Sequence, residues 1–564
     1  MSGQLQMQMG CAVAFFKLVA ADFDGTLTSD GSVAPEAMMA IDQARRNGLA
    51  MVLATGRIGA ELQAEFPRIT DHFDALVLEN GAVIVIGGKA YVLAPPVDRG
   101  LDDALAKRGV PCRRGEVLVA VDVKHAATVV DAIGELGMDY QIVRNRAALM
   151  VLPAGITKGT GLCALLAKLN LSPHNTVAVG DAENDLSLLA VAEIGAAVPD
   201  AVSSLRRFAD VVLDEPEGAG VAGLLTGPYL AGAQRWCPPR HWVDIGQFDD
   251  GNPAKLPGSQ GRILVTGPAA SGKSYLVGLM AERWILAGYC VLVIDPEGDH
   301  LQLQQLNQVQ VVDYGHHLPE PAEIVNSLRP DSSLVVDLSG MGEPGKTDYV
   351  HRLRSTAEAH REQRGFPHWV IYDEAHLLGN GEQAHWARRG GYVLCSFLPA
   401  SLPAHEVDSS DVVLRLTSAD AVTDLASRRR ATIRIGAGPP RGFVVADRRT
   451  THVRHRHKYA DIRLAPERRF YFHSTDGESI AAAATMHDFC KALRHLDQQV
   501  LEYHLERGDF SHWLEGTIAD KDLAARVAAW EDELEAHRAA DLERIRDQLV
   551  DAVEKRYLPS ERHG

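Results

Sequence analysis

The sequence predicts an α/β protein with two successive sheets of mainly parallel strands, followed by a mainly helical tail. In residues 17–228 and again in 262–465, short apolar runs alternate with helical patterns, as they do in doubly wound sheets. In residues 520–557, by contrast, apolar residues recur at helical spacing among many charges. The length of 564 residues corresponds to about three or four domains.

Four segments follow from this pattern. The first, 1–228, opens with an apolar strand over 17–22, a helix that ends at Gly48 and a second strand that ends at Thr55. Within it, residues 82–152 combine strands and helices differently, and we predict that they form a small α+β cap. Residues 229–261 are rich in Pro, Gly and Trp and are predicted to be a connector with a short β segment. The α/β block 262–465 and a mainly helical accessory domain, 466–564, complete the chain.

Composition narrows the class of protein. The chain is 46% hydrophobic and 23% charged, which is ordinary for a folded protein. Its net charge of -17 argues against a surface that binds nucleic acid or anionic membrane throughout. The seven cysteines are scattered without a CxxC pair, which is typical of reduced thiols and not of a disulfide framework or a zinc site. No apolar run reaches the roughly 18 residues of a membrane span, so we expect a soluble, cytoplasmic protein.

The first group of candidate functional residues begins where the opening strand ends. Asp22 and Asp24 belong to the run Asp-Phe-Asp-Gly-Thr. Ligands bind at the carboxyl ends of strands in open α/β sheets. Two carboxylates at i and i+2 point to the same side of a strand and repel each other, so the pair needs a cation or a shared proton. Mg²⁺, which prefers hard oxygen ligands, satisfies that need.

Three further motifs stand at strand or helix ends in a consistent order along the chain. Thr55 ends the second strand and offers a hydroxyl group to a phosphate. Lys158 follows at the start of a helix, and Asp181 and Asp185 follow another predicted strand. With these four motifs, and with an Asn-Gly-Ala step at 80–82 before the cap, the chain resembles the haloacid dehalogenase superfamily. The resemblance is to the subgroup whose cap follows the third strand.

This resemblance implies a Rossmann-like phosphatase that works through an aspartyl-phosphate intermediate. Asp22 would attack phosphorus, and Asp24 would protonate the leaving oxygen and then activate water. Thr55 and Lys158 would hold the phosphoryl oxygens. The carboxylates of Asp22 and Asp181, with the backbone carbonyl of Asp24, would bind Mg²⁺.

The remaining implications concern positioning and substrate. Asp185 is expected to position Lys158 or a metal-bound water. Some phosphoglycolate phosphatases of archaeal type and sugar-phosphate phosphatases share this cap position, so a small phosphorylated metabolite is the predicted substrate. A mutase that uses the same aspartate is an alternative. Four cap arginines are expected either to face a second anionic group or to be solvated: Arg113, Arg114, Arg144 and Arg146.

A second candidate site opens the block 262–465. The run from Gly267 to Ser274 fits the pattern GxxxxGK[ST], follows an apolar strand and precedes a helical pattern. In such a P-loop the backbone amides around Gly272 cradle phosphate, Lys273 reaches the γ-phosphate and Ser274 binds Mg²⁺. The sequence therefore predicts an ATP site.

A later apolar strand ends in Asp373 and Glu374. Asp373 would support Mg²⁺ and Glu374 would polarise an attacking water, which favours an ATPase over a kinase. With the P-loop, this pair resembles translocase-type ATPases related to HerA and FtsK. Those relatives place a polar residue and a Gln after the next strand, whereas this chain has only Ser396, which puts coupled hydrolysis in doubt. Arg415 and Arg428–Arg430 are candidate arginine fingers only if subunits form a ring.

The stretch 428–469 contains thirteen Lys or Arg residues against three acidic ones. One interpretation is a surface for nucleic acid or polyphosphate. Given the acidic chain as a whole, we favour a solvated face of terminal strands whose arginines contact acidic neighbours. Metal binding by His455 and His457 is a weaker alternative. In the tail, 469–477 and 502–514 are predicted to be turns and packed helices, and the accessory domain is expected to serve interaction or oligomerisation.

Together these patterns predict a Mg²⁺-dependent phosphomonoester hydrolase joined to an ATP-binding and ATP-hydrolysing domain. Two alternatives stay open. A polynucleotide kinase–phosphatase pairs the same two chemistries, although the Asp373–Glu374 pair and the cap position count against it. A binding module that senses ATP without turnover is favoured by the missing Gln after Ser396. Homo-oligomer formation is left open.

Overall fold

A computed structural model describes residues 15–29, 32–145, 148–268, 271–313, 318–378, 390–396, 402, 407–416, 430–451, 464, 466–518, 520–536 and 542–557. The chain divides into two compact units, one formed by residues up to 296 with 300–451, the other by 297–299 with the residues from 452 onward. None of the described helices is both long enough and apolar enough to span a membrane.

The first part of the larger unit alternates strands and helices. In chain order its elements are β1 (Leu18–Asp22), β2 (Thr28–Ser29), β3 (Ser32–Val33), α1 (Pro35–Arg46), β4 (Ala50–Ala54), α2 (Gly59–Glu65), β5 (Ala75–Leu78), β6 (Val83–Ile86), β7 (Lys89–Val92), α3 (Arg99–Lys107), β8 (Cys112–Arg114), β9 (Val119–Asp122), α4 (Ala126–Glu135), β10 (Tyr140–Asn145), β11 (Ala148–Pro153), α5 (Lys158–Leu169), β12 (Thr176–Gly180), α6 (Leu186–Val191), β13 (Ile194–Ala197), α7 (Ser203–Phe208), β14 (Val211–Val212) and α8 (Glu217–Thr226).

Eight of these strands form one sheet in the order β14-β13-β12-β1-β4-β5-β6-β7. The first six are parallel, and β1 lies at the centre with every residue buried. The strands β6 and β7 pair antiparallel with the edge at β5. A Gly-Gly turn joins them, and both Gly87 and Gly88 have positive φ, as a two-residue hairpin requires. The cap therefore begins later than residue 82, where we predicted it.

The cap is a separate small α+β layer. Its four antiparallel strands run in the order β10-β11-β9-β8. The helices α3 and α4 cover this sheet with an apolar core that includes Leu101, Leu105, Val129 and Leu149. The cap is inserted after the third parallel strand, β5, as the sequence predicts.

The second part of the larger unit contains a longer sheet. Its elements are β15 (Val243–Phe248), β16 (Pro253–Leu256), β17 (Arg262–Thr266), α9 (Lys273–Leu286), β18 (Val291–Asp295), β19 (Val309–Val312), α10 (Pro321–Ser327), β20 (Ser333–Asp337), α11 (Glu343–Arg364), β21 (Trp369–Tyr372), β22 (Tyr392–Ser396), β23 (Val412–Leu416), β24 (Arg430–Ile435) and β25 (Arg441–Val445).

These strands form one sheet in the order β16-β15-β25-β24-β23-β17-β22-β21-β18-β20-β19. The run from β23 to β19 is parallel, and the four strands at the other edge are antiparallel. The predicted connector 229–261 thus contributes β15 and β16 to this sheet. Helix α9 is apolar on most faces and largely buried, and its Trp284 stacks on Trp369 with ring centroids 3.8 Å apart.

The two sheets of this unit meet through the residues that precede their strands. Lys17, just before β1, donates from Nζ to the carbonyl of Glu362 at 2.8 Å. Asn175, just before β12, donates to the carbonyl of Gly365 at 3.1 Å and accepts from His368 Nε2 at 3.1 Å. Because these contacts lie at the amino ends of parallel strands, the carboxyl ends of the two sheets face away from the interface.

The smaller unit combines a hairpin with helices. Its elements are β26 (Phe470–His473), β27 (Ser479–Ala483), α12 (Met486–His495), α13 (Gln498–Glu506), α14 (Asp509–Trp513), α15 (Lys521–Ala536) and α16 (Leu542–Tyr557). The prediction of turns at 469–477 is wrong over β26, which pairs antiparallel with β27. The reason is an alternation that we overlooked, since Phe470 and Phe472 are buried and Tyr471 is exposed. Phe470 and Phe472 pack with Phe489 of α12.

Candidate active site

Three aspartates lie together at the carboxyl edge of the first sheet. Asp22 ends β1 and Asp181 follows β12, and these strands are parallel neighbours with Ala21 opposite Val179. Potential ligand oxygens of Asp22, Asp181 and Asp185 lie within 4.8 Å of one another. The strand order thus brings together carboxylates that stand far apart in the sequence.

Lys158 is the cation of this cluster. The Thr157 hydroxyl caps α5 by accepting a hydrogen bond from the backbone of Thr160, so Lys158 is the first residue of the helix. Its Nζ donates to Asp22 Oδ1 at 2.5 Å and to Asp185 Oδ1 at 2.6 Å, and its side chain is 0% exposed. The structure therefore joins four of the predicted site residues: Asp22, Lys158, Asp181 and Asp185.

Asp185 also fixes the loop after β12. The backbone amides of Asp181 and Ala182 both donate to Asp185 Oδ2 at 3.0 Å. Gly180 leaves room for this carboxylate, because a Cβ at residue 180 would lie 2.5 Å from Asp185 Cγ. One carboxylate thus holds both the lysine and the backbone that presents Asp181.

The environment shifts the pKa values of the central pair. Burial, and then the charge of Asp185, raise the pKa of Asp22 well above its usual range, although Lys158 opposes them. Burial alone would lower the pKa of Lys158, but Asp185 and Asp22 outweigh it and raise that pKa. Lys158 therefore stays charged, and the ionisation of Asp22 depends on the charges around it.

The donor set fits a magnesium ion. Three buried carboxylates face one ammonium group, which leaves two negative charges when all are ionised. Excess charge in a buried cluster is costly unless a cation compensates it. An all-oxygen donor set at this spacing suits Mg²⁺, which demands hard ligands.

Asp24 lies beside this cluster and is held by Arg57. The guanidinium group donates from Nη2 to Asp24 Oδ1 at 2.8 Å and from Nε to Asp24 Oδ2 at 2.9 Å. The hydrogen bond to Asp24 raises the pKa of Arg57. This bidentate contact was not predicted, although Arg57 follows directly on the Thr55 motif.

Thr55 lies at the same edge of the sheet. Ala54 of β4 is directly opposite Asp22 of β1, so Thr55 is one residue beyond it. The Thr55 side chain is fully buried, and its hydroxyl oxygen accepts a hydrogen bond from the backbone of Arg57 at 3.1 Å. Its position allows the hydroxyl to face a phosphate bound at Asp22.

A carboxylate that we did not predict joins the cap to the core. Glu79 follows β5, and its side chain accepts from the backbone amides of Glu116, Val117 and Leu118 at 2.8–3.0 Å. Gly115 permits this approach, because a Cβ there would lie 2.4 Å from the carboxylate carbon of Glu79. The only signal in the sequence is a charged residue directly after an apolar strand.

The cap arginines have partners or are exposed. Arg113 donates to Glu61 of α2 at 2.8 Å, and Arg114 forms an ion pair with Asp102 of α3. Arg144 is exposed. Arg146 lies outside the described residues. Of the two alternatives for these side chains, Arg113 is solvated, because it is 58% exposed while it pairs with Glu61. Arg114 takes neither alternative, because it is partly buried and Asp102 holds it.

The second candidate site lies at the carboxyl edge of the longer sheet. Gly272 directly precedes α9 and has a φ of 97°. Lys273 begins α9, and its Nζ donates to the backbone carbonyl of Pro268 at 2.8 Å. Ser274 follows in the first turn of the same helix. Gly267 packs tightly, since a Cβ there would lie 2.7 Å from the carbonyl oxygen of Leu416.

Asp373 and Glu374 follow β21, which is separated from β17 by a single strand, β22. Asp373 Oδ2 lies 2.9 Å from Nε2 of His300, and both side chains are almost fully buried. Glu374 has a φ of 54°, and its carboxylate lies 3.4 Å from His376 Nδ1. The contact with His300 was not predicted, because nothing in the local sequence links the two residues.

Strand β22, which lies between β17 and β21, ends in Ser396. Thr266, the last residue of β17, is directly opposite Ser396, which is fully buried. Burial, and then the charge of Asp373, raise the pKa of the preceding Cys395 well above its usual range, whereas Lys273 lowers it. Both groups are therefore close enough to Cys395 to act on its charge.

Part of the basic stretch 428–469 is described. Arg430 and Arg441 form ion pairs with Asp249 and Asp250 at 2.6 and 2.8 Å. This is the arrangement of terminal strands and acidic neighbours that we favoured. Arg415 is exposed on β23. Several earlier candidates lie outside the described residues: Arg428, Arg429, His455 and His457.

Comparison with known proteins assigns the first part of the chain. Residues 19–99 and 117–225 match the haloacid dehalogenase-like hydrolase family. Through this region the chain belongs to that family, and the predicted Rossmann-like core with its α/β sheet is confirmed. The matched residues end at 225, so the family assignment does not extend to the second sheet or the tail.

Relatives within the family cover the same region. The chain is 32% identical over 214 residues to a phosphoglycolate phosphatase of Pyrobaculum islandicum, a match that spans 36% of this chain and 92% of the relative. It is 29% identical to a phosphoglycolate phosphatase of Methanopyrus kandleri, over 37% of this chain and 95% of the relative. Among solved structures, a haloacid dehalogenase-like hydrolase of Bacteroides thetaiotaomicron is 19% identical with a TM-score of 0.33, over 37% of this chain and 98% of the other.

Proposed function

We propose that residues 15–228 form a magnesium-dependent phosphatase in which Asp22 is the nucleophile. The observation that supports this most is the buried contact of Lys158 with both Asp22 and Asp185. It holds the Asp22 carboxylate at a strand end, beside an ammonium group that can donate hydrogen bonds to phosphoryl oxygens. Membership of the hydrolase family supports the same class of reaction.

The first step transfers the phosphoryl group to the protein. A carboxylate oxygen of Asp22 attacks phosphorus, the bond from phosphorus to the ester oxygen breaks, and Asp24 gives its proton to that oxygen. Lys158 and the Thr55 hydroxyl donate hydrogen bonds to the phosphoryl oxygens. Asp24 can act only after its contact with Arg57 is broken, because a proton and this bidentate salt bridge exclude each other.

The second step returns the nucleophile. Water attacks the phosphorus of the aspartyl phosphate, Asp24 takes a proton from that water, and the bond from phosphorus to Asp22 breaks to release inorganic phosphate. The carboxylates of Asp22 and Asp181, with the backbone carbonyl of Asp24, would hold a magnesium ion that neutralises charge on the phosphoryl oxygens.

The substrate that we propose is a small phosphorylated metabolite, with phosphoglycolate as the first compound to test. Two relatives named phosphoglycolate phosphatase match almost their whole length. Glu79, directly after β5, holds the cap segment 116–118 against the core. Of the described cap arginines named above, Arg113 and Arg144 are exposed, and Arg113 already pairs with Glu61, so Arg144 is the first candidate for contact with a second anionic group.

The test is hydrolysis of phosphoglycolate, sugar phosphates and nucleotides by the whole chain with Mg²⁺. Asp22→Asn should reduce kcat by about 1000-fold or more, because it removes the nucleophile. Asp122→Asn is the matched control, since Asp122 is an exposed aspartate of the cap and should leave activity unchanged. If Asp22→Asn kept full ester hydrolysis, the proposal would be wrong.

We propose a second function for the block 262–465, which is ATP binding with hydrolysis. Lys273 and Asp373 follow two parallel strands that have one strand between them, about 10 Å or two strand spacings apart. A nucleotide triphosphate with Mg²⁺ spans such a distance, with Lys273 and Ser274 on the phosphates and Asp373 on the ion. Glu374 would orient the attacking water.

Two alternatives to an ATPase give different outcomes. Phosphate release from ATP should fall in Lys273→Ala and in Glu374→Gln, while Lys255→Ala, at a partly exposed lysine of β16, should not change it. If Glu374→Gln left phosphate release unchanged, a domain that only senses ATP would be favoured. If the protein phosphorylated a nucleic-acid 5′ end, a polynucleotide kinase–phosphatase would replace the proposal. If Lys273→Ala altered ester hydrolysis, the two sites would be coupled.

A further inference from the structure

Two histidines and a glutamate converge at the interface between the two sheets, remote from both proposed sites. His174 lies in the turn before β12, Glu193 directly precedes β13, and His241 precedes β15. Glu193 Oε2 lies 2.7 Å from His174 Nδ1 and 3.8 Å from His241 Nε2. A nitrogen of each histidine and a carboxylate oxygen all lie within 4.8 Å of one another.

The glutamate is a buried charge that needs a cation. Its side chain is 0% exposed, and its oxygens accept hydrogen bonds from the hydroxyl groups of Ser259 and Tyr289. Neutral hydroxyl groups do not compensate a buried carboxylate, which requires a positive partner or a metal. In the described part of the chain, the ion-pair partners of Glu193 are only His174 and His241.

The hydrogen bond of His174 with the backbone leaves its Nδ1 facing Glu193. His174 Nε2 lies 3.2 Å from the backbone carbonyl of Ala287, so this nitrogen carries a hydrogen and donates it. That contact is the usual support of a metal-binding histidine, whose other nitrogen then faces the ion. The Tyr289 ring stacks on the His174 imidazole at 3.6 Å and fixes its orientation.

The nitrogen of His241 that faces Glu193 is also available. Nε2 of His241 is buried and makes no hydrogen bond with the described residues, and the whole side chain is only 14% exposed. A buried ring nitrogen without a hydrogen bond is costly in a protein without an ion. As a metal ligand the same nitrogen would have a strong partner.

We propose that His174 Nδ1, the Glu193 carboxylate and His241 Nε2 bind one divalent transition-metal ion, zinc by preference. Two imidazoles and one carboxylate form a ligand set that Zn²⁺ accepts, whereas Mg²⁺ prefers oxygen alone. Metal–ligand bonds of about 2.0–2.2 Å place tetrahedral ligand atoms about 3.4 Å apart. The observed separations of 2.7 and 3.8 Å lie on either side of that value, so small side-chain shifts admit the ion.

The ion would fasten three segments that are distant in the chain. Two ligands come from the phosphatase part and one from the segment that leads into the longer sheet. This site is distinct from the Asp22 cluster, because it lies at the amino ends of the strands and contains nitrogen ligands. It does not depend on the proposed phosphatase or ATPase activity.

The test begins with metal content. The full chain is stripped with a chelator, loaded with Zn²⁺ in the presence of excess Mg²⁺, passed through a desalting column and analysed for metal. We expect one tightly held zinc per chain and a rise in melting temperature of several degrees on zinc addition. His241→Gln should lose both effects. His72→Gln is the matched control, because His72 pairs with Asp42 at 2.8 Å outside any three-ligand cluster in the described residues.

Cobalt provides an independent readout. Co²⁺ in a tetrahedral site with nitrogen ligands absorbs strongly in the visible range, unlike Co²⁺ in an oxygen-only octahedral site. We expect this absorption in the unaltered chain and in His72→Gln, and its loss in His241→Gln. Circular dichroism establishes that each variant is folded. A folded chain that retains no zinc and gives no tetrahedral cobalt spectrum, or a zinc content that His241→Gln leaves unchanged, would overturn the proposal. The cluster would then be a hydrogen-bonded imidazolium–carboxylate pair.

Discussion

Replacing Asp185 with asparagine tests how the candidate active site is held together. Asp185 Oδ1 accepts from Lys158, and Oδ2 accepts from the amides of Asp181 and Ala182. An asparagine of the same shape keeps only one oxygen. If that oxygen faces the two amides, the new NH₂ group faces the ammonium group of Lys158, and one charge-assisted hydrogen bond is lost.

The size of the effect follows from that single bond. A hydrogen bond to a charged group contributes about 1.5–3 kcal/mol, and each 1.36 kcal/mol changes a rate by a factor of ten. If the transition state loses the whole amount, kcat for ester hydrolysis falls roughly 10- to 150-fold. Asp22→Asn should cost far more, because it removes the reacting atom itself.

The pH profile separates electrostatics from simple misfolding. The charge of Asp185 is the second largest cause, after burial, of the raised pKa of Asp22. Removing that charge lowers the pKa of Asp22, so the acid limb of kcat/KM should move to lower pH in Asp185→Asn. The assay is initial-rate kinetics across pH with saturating Mg²⁺, and Asp122→Asn is again the control. An unchanged kcat, or an acid limb that moved to higher pH, would refute this account of the site.

Three further predictions concern stability. Glu79→Gln should lower the free energy of unfolding by about 2–3 kcal/mol and speed hydrogen exchange at 116–118, since an amide cannot accept all three backbone bonds; unchanged exchange would contradict it. Gly81→Ala should lower the free energy of unfolding, measured by chemical denaturation, by at least about 2 kcal/mol more than Gly48→Ala does. Both glycines have a positive φ, but only a Cβ at residue 81 would meet backbone, 1.9 Å from the carbonyl oxygen of Thr157. Equal losses in the two variants would contradict this prediction. Burial alone would raise the pKa of Glu193, but the hydrogen bond and charge of His174 outweigh it and lower that pKa from 4.5 to about 2 on folding. The contribution of Glu193 to the free energy of unfolding is therefore full above pH 4.5 and is lost toward pH 2. With a chelator present, the free energy of unfolding of the unaltered chain should fall by about 1 kcal/mol more than that of Glu193→Gln for each pH unit below 4.5. Parallel plots of unfolding free energy against pH would contradict this prediction.

The candidate site residues whose positions could be predicted from the sequence stand at the ends of strands or helices. Asp22, Lys158 and Asp181 could be located because each follows an apolar strand or begins a helix, and parallel strands place such positions on one edge. Their mutual contact then follows from the adjacency of β1 and β12. The same logic located Lys273 and Asp373 in the second sheet, where one strand lies between theirs.

What sequence reasoning missed are contacts between segments that have no local pattern. Glu79 binds the backbone of 116–118, and His300 contacts Asp373, yet no motif in the sequence relates either residue to its distant partner. Periodicity reports which face of an element is buried, but not which distant segment covers it. Arg57 is an intermediate case, since its motif was recognised and its contact with Asp24 was not.

The prediction that the cap begins at residue 82 is wrong for a different reason. The apolar run 83–86, the two glycines after it and the run 89–92 are consistent with a hairpin, but the pattern does not say which sheet the hairpin joins. Val83 and Ile84 are buried against the core, and this tertiary packing assigns β6 and β7 to the first sheet. The segment 243–256 is a similar case, in which β15 pairs with β25, almost two hundred residues later.

The way the two sheets join limits how their sites could influence each other. Lys17, Asn175 and Glu193 all precede strands of the first sheet, and their partners precede strands or end helices of the second. The two carboxyl edges, with Asp22 and Lys273, therefore face away from this interface, and neither site can pass a phosphoryl group directly to the other. A response of one site to the other would have to travel along the strands and through the buried contacts around Glu193. Those contacts are polar and specific, so a change there would alter the relation of the two sheets without touching either set of proposed catalytic residues.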